Sequence, residues 1–166
     1  MPIMRLNHAV LYVRDVAHSV AFYTEALGFR VLPMSPEFTF AAFLLAPGST
    51  NDHDIGLFEI GSGAGPSPAG RSTVGLYHLA WEVDTLAELE RLRGVLQARG
   101  ALVGATDHGT TKSIYAKDPD GLEFEVAWIV PADLLDDEAR ESRNRLGRLD
   151  LEREIERYGA TTVGGI

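Results

Sequence analysis

The sequence predicts an α+β fold made of two copies of one unit, each running strand, helix, strand, strand, strand, with a helical tail behind them. Three observations predict it. Leu6-Asn7-His8 and Leu76-Tyr77-His78 stand 70 residues apart, and each histidine is followed five residues later by a valine, Val13 and Val83; self-similarity at a fixed offset marks a duplicated unit. The stretch Gly61 to Gly75 (GSGAGPSPAGRSTVG) is too rich in Gly, Pro and Ser to pack and reads as a linker. On either side of it, apolar runs of strand length surround one helical pattern with start and stop signals.

Taken in order, Leu6 to Val13 (LNHAVLYV) is a buried-strand run. Asp15 can cap a helix over Val16 to Leu27, and Gly28 ends it. Phe29 to Leu32, Phe38 to Leu45 and Ile55 to Ile60 are three further strands, the last two separated by the turn-rich Pro47 to Asp54. Leu76 to Val83 (LYHLAWEV) repeats the first strand, and a capping box from Thr85 to Glu88 starts a helix that reaches Arg99 before Gly100 stops it. Ala101 to Val103, Ser113 to Lys117 and Leu122 to Trp128 complete the second unit. The first module therefore spans 5–60, the linker 61–75 and the second module 76–130, together one domain over 1–130. Beyond Pro131 the chain alternates acidic and basic residues, as in Asp136 to Arg145 and Asp150 to Arg157. The tail 131–166 is expected to be helical and exposed, or to pack on a partner subunit. Neither unit can bury both faces of its sheet alone, so the two are expected to join their sheets as a curved mixed sheet around a cavity.

Composition excludes several function classes. There is no cysteine among the 166 residues, hence no disulfide, no thiolate metal site and no thiol nucleophile. A net charge of −9, from 15 basic against 24 acidic residues, argues against a nucleic-acid partner and for a small-molecule ligand. No apolar run is long enough to span a membrane and no secretory signal opens the chain, so a cytoplasmic protein is expected.

The chemistry-bearing residues are histidines and glutamates. His8 and His78 occupy the same place in the repeated strand. Glu123 and Glu125 share one face of the last strand by period-two alternation, and a cation would relieve the cost of desolvating a carboxylate there; Glu125, deeper in EFEVAW, is the chosen ligand. Each of these residues alone would be read as core or surface; their joint placement points to a two-histidine, one-carboxylate metal site. Phe38, Phe40, Phe43, Leu57, Trp81 and Trp128 could wall an aromatic ligand or simply fill the core.

These features resemble the vicinal oxygen chelate superfamily (glyoxalase, bleomycin resistance protein and dioxygenase), built from paired βαβββ modules, over residues 5–130. Within it they are most similar to single-domain extradiol catechol dioxygenases. His108, Ile114-Tyr115, the turn Asp118-Pro119-Asp120-Gly121 and Glu125 reproduce an 18-residue pattern of that group with its spacings kept. The resemblance implies a metal-centred cavity in which His8, His78 and Glu125 hold Fe(II), with an open face for a catechol-type diol and O2. It implies that His53, in Asp52-His53-Asp54, is the acid/base group and that His108 and Tyr115 contact the substrate oxygens; from the aromatic set above, Trp81 and Phe40 are expected as further substrate contacts. It also implies a homodimer. His18 lies on the polar face of the first helix and is given no role.

Glu59, near the end of the first module's last strand, is read as the positional counterpart of Glu125. In glyoxalase I-like members a glutamate there is a fourth ligand, and a set of His8, Glu59, His78 and Glu125 would suit Ni, Zn or Mn and a proton-transfer isomerase. A third alternative is a metal-free binder of antibiotics or other small molecules.

Overall fold

The computed structural model describes every residue except Met1, Met4, Pro36, Arg71, Asn144, Arg145 and Ile166. Its contacts divide the chain into two compact units, residues 1–67 with 119–121, and residues 68–118 with 122–166. The division falls inside the expected linker, whose described residues hold no helix or strand beyond an isolated bridge between Gly70 and Thr73.

The first unit contains β1 (Ala9–Val13), α1 (Val16–Leu27), β2 (Arg30–Val31), β3 (Ala41–Leu45) and β4 (Ile55–Glu59), in the sheet order β1-β4-β3-β2. β1 and β4 run parallel; the other neighbours are antiparallel. α1 has the predicted ends: the Asp15 side chain accepts from the N–H of His18 at 2.9 Å, and Gly28 takes φ 75° beyond the last turn. Left-handed backbone is cheap only for glycine, which is why the helix stops there. Alternation along the strands sorts the sheet into two faces. Leu11, Val13, Ala42, Leu44, Ile55 and Leu57 are all buried, as are Val16, Phe22, Tyr23 and Ala26 of α1. The opposite face carries Val10 and Tyr12 of β1, both exposed, and Phe43 and Phe58.

The second unit repeats the plan with β5 (His78–Glu82), α2 (Leu86–Ala98), β6 (Leu102–Asp107), β7 (Thr111–Lys117) and β8 (Glu123–Ile129). Thr85 caps α2, its side chain accepting from the N–H of Glu88 at 3.3 Å. Leu86, Leu89, Leu92 and Leu96 are buried along one stripe of α2. Phe124, Val126 and Trp128 of β8 are buried with them.

The tail builds structure onto this unit. After a single 3-10 turn (Ala132–Leu134) it forms α3 (Asp137–Ser142), β9 (Gly147–Arg148) and α4 (Leu151–Tyr158). β9 pairs antiparallel with β6, so the second sheet has the order β5-β8-β7-β6-β9. α4 packs on α2. Ala160 O accepts from the N–H of Ala87 at 2.9 Å, satisfying an otherwise orphaned donor of the first turn of α2. The expected exposure of this segment holds for one side only: Ala139, Leu149, Leu151, Glu154 and Tyr158 are buried. Asn144 and Arg145, the end of the first charged run, lie outside the described residues. No helix among the described residues is long and apolar enough to cross a membrane.

Candidate metal and substrate site

In the second unit β8 pairs parallel with β5, placing Glu123 beside His78 and Glu125 beside Ala80. His78 and Glu125 therefore share a face, and Nε2 of His78 lies 3.1 Å from Oε2 of Glu125. That separation suits a hydrogen bond, and it equally suits two ligands at right angles on one ion, where bonds of about 2.1 Å put the donors about 3.0 Å apart. Nδ1 of the same ring is buried and has no hydrogen-bond partner.

Tyr115 of β7 pairs with Glu125 in register and so joins that face. Its hydroxyl is pushed up to about 12, first by burial and then by the charge of Glu125 and a hydrogen bond to it. His108, at the turn between β6 and β7, has Nε2 at 2.9 Å from the Tyr115 oxygen. A carboxylate can only accept, so the phenol proton is assigned to Glu125 and Nε2 of His108 becomes the donor to Tyr115. His108, Tyr115 and Glu125 thus form one hydrogen-bonded line.

The first unit brings together His8 and His53. Their rings stack at 4.3 Å between centroids, and the edge of His53 meets Phe43 at 5.0 Å. Phe43, Phe58, Phe40 and Phe38 continue the row at 5.9, 6.3 and 5.7 Å. Nδ1 of His8 lies 2.7 Å from Oδ1 of Asn7, and Nδ1 of His53 lies 3.0 Å from Oδ2 of Asp52. Both acceptors hold the proton on Nδ1 and leave the Nε2 lone pair outward, the tautomer that a metal ligand or a general base requires. Neighbouring oxygens of Asn7 and Asp52, which sequence reading passed over, are the orienting partners. Their signal is simple adjacency to the histidines.

Two sequence expectations change. Glu59 is not the counterpart of Glu125. In the parallel pairing of the first unit Val10 meets Gly56, where Ala80 meets Glu125 in the second. Glu59 falls three residues later, on the side of the sheet that carries α1, and its Oε2 accepts from the N–H of Val16 at 3.0 Å. It caps the helix, where a carboxylate also meets the positive end of the dipole. Trp81 pairs with Val126 and alternates away from the face of His78 and Glu125. Leu57 and Trp128 are fully buried and belong to the core, whereas Phe40 is half exposed. Among the described residues no group of three or more metal-competent side chains is assembled. The donors present are all nitrogen and oxygen; within the second unit the pair His78 and Glu125, and within the first the oriented His8, are each of the type that suits a divalent ion of hard or borderline character.

The glyoxalase/bleomycin resistance protein/dioxygenase superfamily model matches residues 5–126. The chain belongs to this superfamily. It is 31% identical over 130 residues to the lactoylglutathione lyase of Salmonella typhimurium, covering 74% of this chain and 91% of that enzyme. It is also 31% identical over 121 residues to the catechol-2,3-dioxygenase of Bacillus subtilis, covering 73% of this chain and 40% of that enzyme. A crystal structure of a glyoxylase/bleomycin resistance protein/dioxygenase domain from Frankia sp. EAN1pec is similar with a TM-score of 0.62 and 25% identity, covering 76% of this chain and 92% of that one. The match stops before β8 ends, so the tail lies outside it.

Proposed function

We propose that this protein is an extradiol ring-opening dioxygenase acting on a catechol-type aromatic diol with O2, and that His8, His78 and Glu125 hold Fe(II). The observation that carries this reading over an isomerase is the placement of Glu59. Its carboxylate faces α1 and accepts from Val16, which leaves a three-residue ligand set with open positions rather than a four-residue one. When bound, ferrous iron would supply electron transfer between the two oxygen-bearing reactants.

The chain's own residues supply the rest. His53, with Nδ1 tied to Asp52, presents a basic Nε2 that takes a proton from the diol and returns it later. With Glu125 engaged on the ion, the Tyr115 hydroxyl, held in place by Nε2–H of His108, turns its proton to a ring oxygen, and the high affinity of the phenol for that proton keeps it a donor at neutral pH. The row from His53 through Phe43, Phe58 and Phe40 offers aromatic faces and edges for a planar ring. The exposed Val10 and Tyr12 beside it support association with a second copy of the chain.

A second reading is favoured by length: the chain covers 91% of the lactoylglutathione lyase and 40% of the catechol dioxygenase. On that reading Glu125 is a proton-transferring base, the metal is Ni, Zn or Mn, and Glu59 would have to leave Val16 to become a ligand. One experiment separates them. The protein is purified anaerobically, loaded with Fe(II) and given catechol or 2,3-dihydroxybiphenyl; a yellow ring-cleavage product is expected. No colour with either diol, together with nickel-dependent turnover of a hemithioacetal, overturns the dioxygenase reading. His53→Phe keeps its metal and lowers kcat roughly 10²- to 10⁴-fold if the histidine transfers protons.

A further inference from the structure

Lys112 has no part in the chemistry above, yet it is one of the most deeply buried residues of the molecule, 1% exposed. It lies on β7 opposite Asp107 of β6, on the face of the sheet away from Tyr115. Its Nζ donates to Oδ1 of Asp107 at 2.6 Å and lies 2.8 Å from Oε2 of Glu154 on α4, an ion pair whose angle falls outside hydrogen-bond geometry. The ring of Tyr158, also on α4, stands 5.7 Å from the same nitrogen. A buried ammonium between two carboxylates is costly to assemble and costly to break, so it fixes its partners where it finds them.

One of those partners brackets His108. Oδ1 of Asp107 also accepts from the N–H of Gly109 at 2.7 Å, closing the turn over the histidine from both sides. Gly109 has φ 76°, and a Cβ there would stand 2.4 Å from Ala139 O and 2.9 Å from Arg143 N, so α3 rests directly on the turn. β9 pairs with β6 at Thr106 and Asp107, the two residues that lead into His108. Two elements of the tail, α3 and β9, thus rest on the residues flanking one histidine, and a third, α4, reaches them through Lys112.

We propose that Lys112 and Asp107 are positioning residues for His108, held in place by the C-terminal segment through Glu154 and Gly109. The tail is then part of the functional site rather than an appendage to the superfamily fold. The catalytic half of this inference rests on the reading that His108 contacts substrate; the geometric half does not.

The test uses the full-length chain labelled with nitrogen-15 histidine. In the wild type the His108 ring is expected as one tautomer, protonated at Nε2. In Lys112→Met, and in Asp107→Asn, which keeps a neutral acceptor for Gly109, the ring is expected to average between tautomers while the His18 signals stay put. With Fe(II) loaded, kcat for the diol falls about tenfold and KM changes by less than about twofold, as a misplaced orienting group predicts. Should Lys112→Met fail to fold, Asp107→Asn decides alone. His108 signals unchanged in a folded Asp107→Asn chain overturn the inference, whatever happens to kcat. If the wild type turns over no diol, the ring-opening reading falls, and the ring signals still decide the positioning role.

Discussion

The two modules share one plan and spend it differently. Both pair an edge strand in parallel with the module's last strand, with a histidine at the head of the edge strand, and both bury one sheet face under a helix. At the register position where the second module has Glu125, the first has Gly56, and a Cβ there would already press on the ring of Phe43 at 3.3 Å. The first module fills the space a carboxylate would need with aromatic rings, while the second fills it with a carboxylate that reaches His78 and Tyr115. The glutamate at the end of the first module's last strand, Glu59, works on the other face as a cap. Duplication therefore supplied two frames, and at the same register position one carries Gly56 under an aromatic ring and the other the carboxylate of Glu125.

The largest expected effect breaks that asymmetry at its charged side. Glu125→Gln keeps the shape and removes the negative charge; metal retention, read by elemental analysis after gel filtration, is expected to fall to background and turnover with it. Retention at wild-type level would mean that the second module does not supply the carboxylate ligand. Next in size is Lys112→Met, which leaves Asp107 and Glu154 facing an apolar group. Loss of one partner of a buried ion pair costs about 3–5 kcal/mol, so the midpoint of urea unfolding should drop steeply. A shift no larger than that of a surface substitution would show that the pair is hydrated and loose.

Much of this division was legible in the sequence. The repeated Leu-x-His, the Asp15 and Gly28 ends of α1 and the capping Thr85 are local signals, carried by residues whose preferences hold without tertiary context. What escaped was set by pairing. β6 runs on to Asp107 although Gly104, Ala105 and Asp107 have weak strand preference, because β7 and β9 bond it from both sides. β9 itself is only two residues, Gly147 and Arg148, too short to show a pattern. Glu59 was misplaced because counting along one strand does not reveal the register with its neighbour, and a shift of an odd number of residues sends a side chain to the other face. The same blindness hides Lys112: a lysine in a strand reads as solvent-facing until α4 is seen covering it.

Tyr115 sharpens the comparison through pH. Burial and the adjacent Glu125 hold its hydroxyl up to about 12, against an ordinary 10. A raised pKa in the folded state favours the protonated form, so the stabilisation is fully present below about pH 10 and is lost as pH rises towards 12. The phenolate absorbance missing from Tyr115→Phe should therefore emerge only near pH 12 in the metal-free wild type. Emergence near pH 10 would mean that neither burial nor Glu125 presses on the phenol.

The smallest effect tests the quiet half of the pair. Glu59→Gln keeps an oxygen to accept from Val16 and loses only the attraction between a carboxylate and the start of α1, about 0.5–1 kcal/mol. Metal retention and diol turnover should stay within about twofold of wild type, since that factor corresponds to about 0.4 kcal/mol. The measurement is a metal-binding titration beside a thermal unfolding curve. Weakened metal binding with unchanged stability would place Glu59 among the ligands after all, and the functional contrast between the two modules would shrink to the difference between two glutamates reached along different strands.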